Sequence, residues 1–174
     1  GADAMQASAA KKIYEAKGRP SDNPLIVHIA DVSALRNLTD EVPGKAVKLA
    51  KAFWPGPLTM IVKKSAAVPY ETTGGMDTVA VRMPNHPVAL ALIAASGTYI
   101  AAPSANTSGR PSPTTAEHVM TDLNEKIPLI LDGGSVGIGI ESTIIDLTEE
   151  TPMILRPGYI TQEMLEEVIG EVHV

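Results

Sequence analysis

TVAVRMPNHPVALALIAASGTYIAAPSA, residues 78–105, reads as strand, helix, strand. TVAVRMP (78–84), with three β-branched residues in its first four, reads as a strand and is closed by Pro84. HPVALALIAAS (86–96) is a helix with Pro87 in its first turn, where the missing N–H costs nothing. TYIAAPSA (98–105) is a second strand that runs out into small polar residues. Before this unit, helix 2–16 ends at Gly18 and Pro20, and PLIVHI (24–29) is a buried strand. A short helix follows over 31–38 with Asp31 as its cap, then helix 44–54 and the strand LTMIVKK (58–64). After the unit, a helix is expected from Ser112 to Lys126, with Thr114 and Glu117 as a capping box. PLILDGG (128–134), ESTIIDL (141–147) and PMILRPG (152–158) read as strands, and ITQEMLEEVIG (160–170) as a closing helix. βα alternation mixed with consecutive strands predicts one α/β (α+β) domain over residues 1–174, with a mixed, twisted sheet flanked by helices. No linker divides it.

Composition narrows the chemistry. The 174 residues, 44% hydrophobic and 20% charged, suit one domain with a sizeable core. The absence of cysteine excludes a disulfide scaffold, a thiolate zinc site, an iron–sulfur cluster and a cysteine nucleophile, and fits a reducing, cytoplasmic setting. No apolar run approaches eighteen residues, and no charged-then-apolar leader opens the chain, so neither a membrane span nor a signal peptide is expected. Aromatic residues at 3% leave too few rings for a base-stacking platform. The net charge of −6 is uneven: residues 1–64 carry ten Lys/Arg against six Asp/Glu, and residues 111–174 two against twelve. A polyanion is drawn to the basic half, but the balance argues against a chain that grips nucleic acid over its whole surface.

Four of the five arginines, Arg19, Arg82, Arg110 and Arg156, lie within two residues of a proline. A residue preceding proline is held in extended geometry, and Arg82 and Arg156 also fall at expected strand ends, where open α/β sheets collect ligands. Guanidinium is suited to bidentate grip on carboxylate or phosphate. Lys17-Gly-Arg19-Pro20 sets two cations two residues apart in a turn. AAPSANTSGRPSP (101–113) offers Ser104, Asn106, Thr107 and Ser108 among small residues that let a ligand approach the backbone, and it feeds the helix expected at Ser112. An ordinary Ser/Asn-rich turn is the competing explanation. DGGSVGIGIEST (132–143) is neither a Walker loop, lacking GK[ST], nor a dinucleotide fingerprint, since Gly137-x-Gly139 leads into a strand. It leaves Ser142 at the start of that strand. His28, His86, His118 and His173 show no metal spacing. His28, ending an apolar strand beside the basic turn, fits a satisfied core histidine or a ligand contact.

Taken together, KGRPSDNPLIVHI, FWPGPLT, TVAVRMPNHP, PSANTSGRPSPT, GIGIESTIID and ILRPG resemble, in order, the blocks of the YrdC-type L-threonylcarbamoyl-AMP synthase family. The paired K-x-R and S-x-N signatures, Lys17/Arg19 and Ser104/Asn106, are that family's hallmark. The resemblance implies a YrdC-like domain with a basic cavity, and a nucleotidyltransferase that converts L-threonine, bicarbonate (or carbon dioxide) and ATP to threonylcarbamoyl-AMP and pyrophosphate for tRNA threonylcarbamoyladenosine modification. It implies catalytic roles for Lys17 and Arg19, and nucleotide contacts from Lys17, Arg19, Asn23, Thr78, Ser104, Asn106, Ser112 and Arg156. It implies threonine contacts from His28, Arg82, Ala102 and Ser142. Magnesium is expected with the ATP, with no protein ligand assigned. Downstream threonylcarbamoyl-transfer proteins are the implied partners, and a YrdC fold that binds RNA or tRNA without catalysis is the alternative. The family carries an N-terminal strand and a T-E-T-x-Y-G-L-G turn ahead of a segment like GADA, so the chain is expected to lack that strand and motif.

Overall fold

The computed structural model describes residues 1–137 and 140–174. Its strands are β1 (Ala2–Asp3), β2 (Ile26–His28), β3 (Leu58–Lys63), β4 (Thr78–Arg82), β5 (Ile100–Ala102), β6 (Thr143–Asp146) and β7 (Met153–Arg156). The helices are α1 (Ala7–Lys17), α2 (Leu35–Leu38), α3 (Gly44–Phe53), α4 (Tyr70–Thr73), α5 (Pro87–Ser96), α6 (Ala116–Leu123) and α7 (Gln162–Ile169). The strands form one open mixed sheet in the order β1-β5-β2-β4-β3-β6-β7. β2 runs parallel to β4 and β3 parallel to β6, while the other neighbours are antiparallel.

Two-residue alternation divides the sheet into a dry face and a wet one. Leu25, Val27, Ile29, Leu58, Met60, Val62, Val79, Val81, Ala101 and Ile145 are all buried on one face. There they join Ile13 of α1, Leu35 and Leu38 of α2, Leu49 and Ala50 of α3, and Leu165 of α7 in a single core. The intervening residues Ile26, His28, Ile61, Ala80, Arg82, Ala102 and Ile144 point the other way and line a cavity. α1 ends at Gly18, whose φ of +63° is a left-handed cap that favours glycine, so the chain turns sharply between Lys17 and Arg19. Asp31 caps a 3₁₀ turn (Val32–Ala34) by accepting from the Ser33 amide, and Pro87 opens α5, both as expected.

Three expectations fail. Residues 2–6 precede the first helix, and Ala2–Asp3 pair with β5 instead of coiling. Residues 128–134 form no strand: their apolar side chains stay outside, with Leu129 69% exposed. A strand needs a ladder to join, and this segment spends its polar backbone elsewhere. Gly133 O accepts from His86 Nε2, and Gly134 N donates to the Asp132 carboxylate. α6 begins four residues later than expected, capped by Thr115 accepting from the His118 amide, so the Thr114/Glu117 box does not form and Ser112 lies ahead of the helix. α4, which was not expected, seats the turn beside Asn23: Leu25 N donates to Thr72 O. Among the described residues no helix is long and apolar enough to cross a membrane.

Candidate functional site

The wet face of the sheet forms the floor of a cavity of about 640 Å3, within the range of small-molecule sites. Its walls bring together Arg19, Asn23, His28, Arg82, Ala102, Ser104, Ser112, Ser142 and Arg156, nine of the residues singled out in the sequence. Lys17 and Asn106 stand just behind this wall, and Thr78 shares the face of Ala80 and Arg82 but lies at the far end of β4, outside the lining. Arg110 lies outside it too, on a separate small cleft, paired with Asp122 at 2.8 Å. Gly139 of the Gly137-x-Gly139 pair falls outside the described residues.

Register explains the convergence. Ile100, His28, Arg82, Thr59, Ile144 and Arg156 are successive cross-strand partners, a single row across five neighbouring strand pairs. Three strand spacings, ~14 Å at the backbone, separate Arg82 from Arg156. A β-bulge sets the last member of that row. Ile145 opposes Ile154, whereas Ile144 opposes Arg156, so the register slips by one at Leu155. Strict alternation would send Arg156 into the core beside Ile154; the extra residue turns it into the cavity. Gly158 permits the turn that follows, since a Cβ there would stand 2.5 Å from Glu141 O and 2.6 Å from Thr143 N.

Each cation is held by backbone carbonyls. Lys17 is 5% exposed, and its ammonium donates to Ser104 O and, at 3.5 Å, to Asn106 Oδ1. Burial, then the neighbouring Arg19 charge, pull its pKa down to about 8, against the opposing influence of Asp122. The loop over it is tied at three points. Ser108 N donates to Lys17 O, Asn106 Nδ2 donates to the carbonyls of Thr107 and Arg110, and Thr107 N donates to the Asp122 carboxylate. Arg19 donates to Asn23 O and to Pro24 O (2.8 Å), and burial lowers its pKa. Arg82 donates from Nε to Gly56 O; burial and the Arg156 charge lower its pKa. Arg156 donates to Ser142 O from Nε and Nη2 and meets Glu141 at 3.1 Å. Among the described residues, no carboxylate lies within 4 Å of Lys17, Arg19 or Arg82. The cavity therefore holds uncompensated positive charge, which fits an anionic occupant.

His28 faces the same space. Its Nδ1 lies 3.1 Å from Ile26 O and 3.3 Å from Ile100 O, so Nδ1 carries the proton and Nε2 is left as an acceptor. Burial, then the Arg82 charge, lower its pKa to about 4 and keep it neutral. Thr59 and Glu141 were not anticipated from the sequence. A threonine inside the apolar strand LTMIVK was the available signal for the first, and nothing marked the second.

The Sua5/YciO/YrdC family model, described as "Telomere recombination", matches residues 1–158. The chain belongs to the Sua5/YciO/YrdC family. It is 59% identical to the threonylcarbamoyl-AMP synthase of Bacillus subtilis over the whole chain, covering 51% of that relative. It is 38% identical to a putative threonylcarbamoyl-AMP synthase of Mycobacterium tuberculosis, over 98% of the chain and 78% of the relative. Among solved structures, Pyrococcus abyssi Sua5 in complex with L-threonine superposes with a TM-score of 0.96 at 57% identity, over 99% of this chain and 52% of that one. Escherichia coli YciO superposes at 0.77 with 28% identity, over 87% of this chain and 74% of that one. The chain thus spans about half the length of the Bacillus and Pyrococcus relatives. The YrdC-like fold and the basic cavity expected from the resemblance are both present in this family member.

Proposed function

We propose that this chain carries the catalytic site of an L-threonylcarbamoyl-AMP synthase, a nucleotidyltransferase that acts in the cytoplasm and supplies the threonylcarbamoyl group for tRNA modification. The observation that supports this most is the row of His28, Arg82 and Arg156 across one cavity floor, with Arg19 on the wall and, among the described residues, no carboxylate but Glu141 in the lining. The proposed substrates are ATP, L-threonine and bicarbonate or carbon dioxide, and the product passes to threonylcarbamoyl-transfer proteins.

In the proposed reaction the threonine amine adds to carbon dioxide and loses a proton, giving a carbamate. A carbamate oxygen forms a bond to the α-phosphorus, the bond from that phosphorus to its bridging oxygen breaks, and pyrophosphate leaves with the electron pair. Both reactants are anions, so the protein's work is alignment and charge stabilisation rather than covalent chemistry. Arg19 and Arg156 would hold the phosphates and Arg82 the threonine carboxylate, while the neutral His28 Nε2 accepts a hydrogen bond from the amino acid. Asn23, Ser104 and Ser112 offer neutral contacts to the nucleotide from the cavity wall. Lys17 would contribute its charge from behind Ser104. The chain's donor set does not form a cage for a resident metal: among the described residues no three His, Asp or Glu side chains cluster. Magnesium would arrive as part of the ATP substrate, through phosphate and water oxygens. The alternative, a YrdC fold that grips RNA without catalysis, is less well supported, because Arg19, Arg82 and Arg156 turn into a pocket instead of along an open stripe.

The test is pyrophosphate release from ATP by the full-length protein, expected to require both L-threonine and bicarbonate. Arg82→Ala should raise the threonine KM far more than the ATP KM. Equal effects on both would remove the carboxylate role, and salt-sensitive RNA binding without threonine-dependent release would replace the synthase with the RNA-binding reading.

A further inference from the structure

Thr59 is fully buried on β3, opposite Arg82 on the cavity face of the sheet, where it is covered and does not itself line the cavity. Among the described residues its hydroxyl makes one hydrogen bond, to Ser142 Oγ at 2.9 Å. That serine oxygen is also within 3.0 Å of Arg156 Nη2. A guanidinium can only donate, so Arg156 takes one lone pair of Ser142 Oγ. Among the described residues Thr59, shut off from the cavity, has no other acceptor for its proton, whereas Ser142 borders the cavity. Thr59 therefore donates as well, and the second lone pair of Ser142 is taken. The proton of Ser142 is left without an acceptor among the described residues, on a side chain that lines the cavity.

We infer that Thr59 is a positioning residue for the amino-acid half of the site: by filling the last lone pair of Ser142 it makes that hydroxyl a dedicated donor to a substrate oxygen. This rests on the synthase reading and deepens it. A hydroxyl with both polarities open accepts an ammonium or amide N–H as readily as it donates. One saturated by Thr59 and Arg156 is satisfied only by an acceptor. The carboxylate of threonine, or the carbamate formed from its amine, supplies such an oxygen, and the Arg82 and Arg156 charges beside it favour the anionic form. The arrangement therefore selects the orientation in which an anionic oxygen of the substrate, rather than its amine, meets Ser142.

Thr59→Val keeps shape and volume and removes only the donor; Thr59→Ser keeps the donor. Both are measured in the full-length protein by threonine- and ATP-dependent pyrophosphate release, with thermal unfolding alongside. Thr59→Val is expected to raise the threonine KM by about three- to tenfold, the weight of one net hydrogen bond. The ATP KM should be unchanged, and Thr59→Ser should restore the wild-type value. Thr59→Ala, a smaller variant, should show the same split. In a Ser142→Ala background, Thr59→Val should add no further rise, because the residue acts through Ser142. An unchanged threonine KM, equal rises for both substrates, or a full Thr59→Val effect without Ser142 would each overturn the inference. Wild-type protein that releases no threonine-dependent pyrophosphate takes down the synthase reading and this inference together, whereas active wild type matched by Thr59→Val takes down the inference alone.

Discussion

Replacing Lys17 by methionine should make the protein more stable at neutral pH while removing its activity. The buried ammonium titrates at about 8 instead of the ordinary 10.5. At 1.36 kcal/mol per unit, keeping it charged in the folded state costs about 3 kcal/mol at pH 7. Because the folded pKa is lowered, the unfolded chain binds more protons between pH 8 and 10.5, and stability rises with pH across that window. Methionine fills a similar volume without the charge but leaves Ser104 O and Asn106 Oδ1 without their donor, a loss of about 1–2 kcal/mol. The variant should therefore gain about 1–2 kcal/mol at pH 7, and the advantage should shrink and change sign between about pH 9 and 10. Urea unfolding of both proteins at pH 6, 7, 8, 9 and 10 measures the difference, in which titrations common to both chains cancel. A gap that stays constant from pH 7 to 10, or a variant less stable at every pH, would show that burial does not strain this lysine. Pyrophosphate release by the same variant tests the other half: a buried cation that costs stability is retained for function.

Gly158→Ala should lose about 1–3 kcal/mol of stability, because the new methyl would meet the backbone of Glu141, Ser142 and Thr143, which cannot swing aside. It should also raise the ATP KM by displacing Arg156; wild-type stability by urea unfolding would contradict the close approach. The wild-type protein should lose stability as pH falls from 6.5 toward 4, because His28 is neutral when folded and takes a proton when unfolded. His28→Gln should flatten that fall, and an unchanged slope in acid unfolding would mean His28 is not held neutral.

The arginine–proline pairs, the Lys17-Gly-Arg19 turn and the small-residue run at 101–108 were legible in the sequence because each depends on local chemistry. Glycine caps α1 and Pro87 opens α5 without tertiary information. The resemblance carried the family and, with it, the assignment of the site's residues.

Chain order alone determined most of the elements and the residue types able to hold an anion. Three things needed the folded chain. The strand expected at 128–134 never formed, since hydropathy proposes a strand but only a free ladder accepts one. Lys17 reads as one of two cations in a turn, yet the loop from Ser104 to Ser108 closes over it and burial lowers its pKa. Arg156 shares parity with buried Ile154, and a one-residue bulge at Leu155 turns it to the cavity. Burial and register are relations between segments distant along the chain, and no local pattern encodes them.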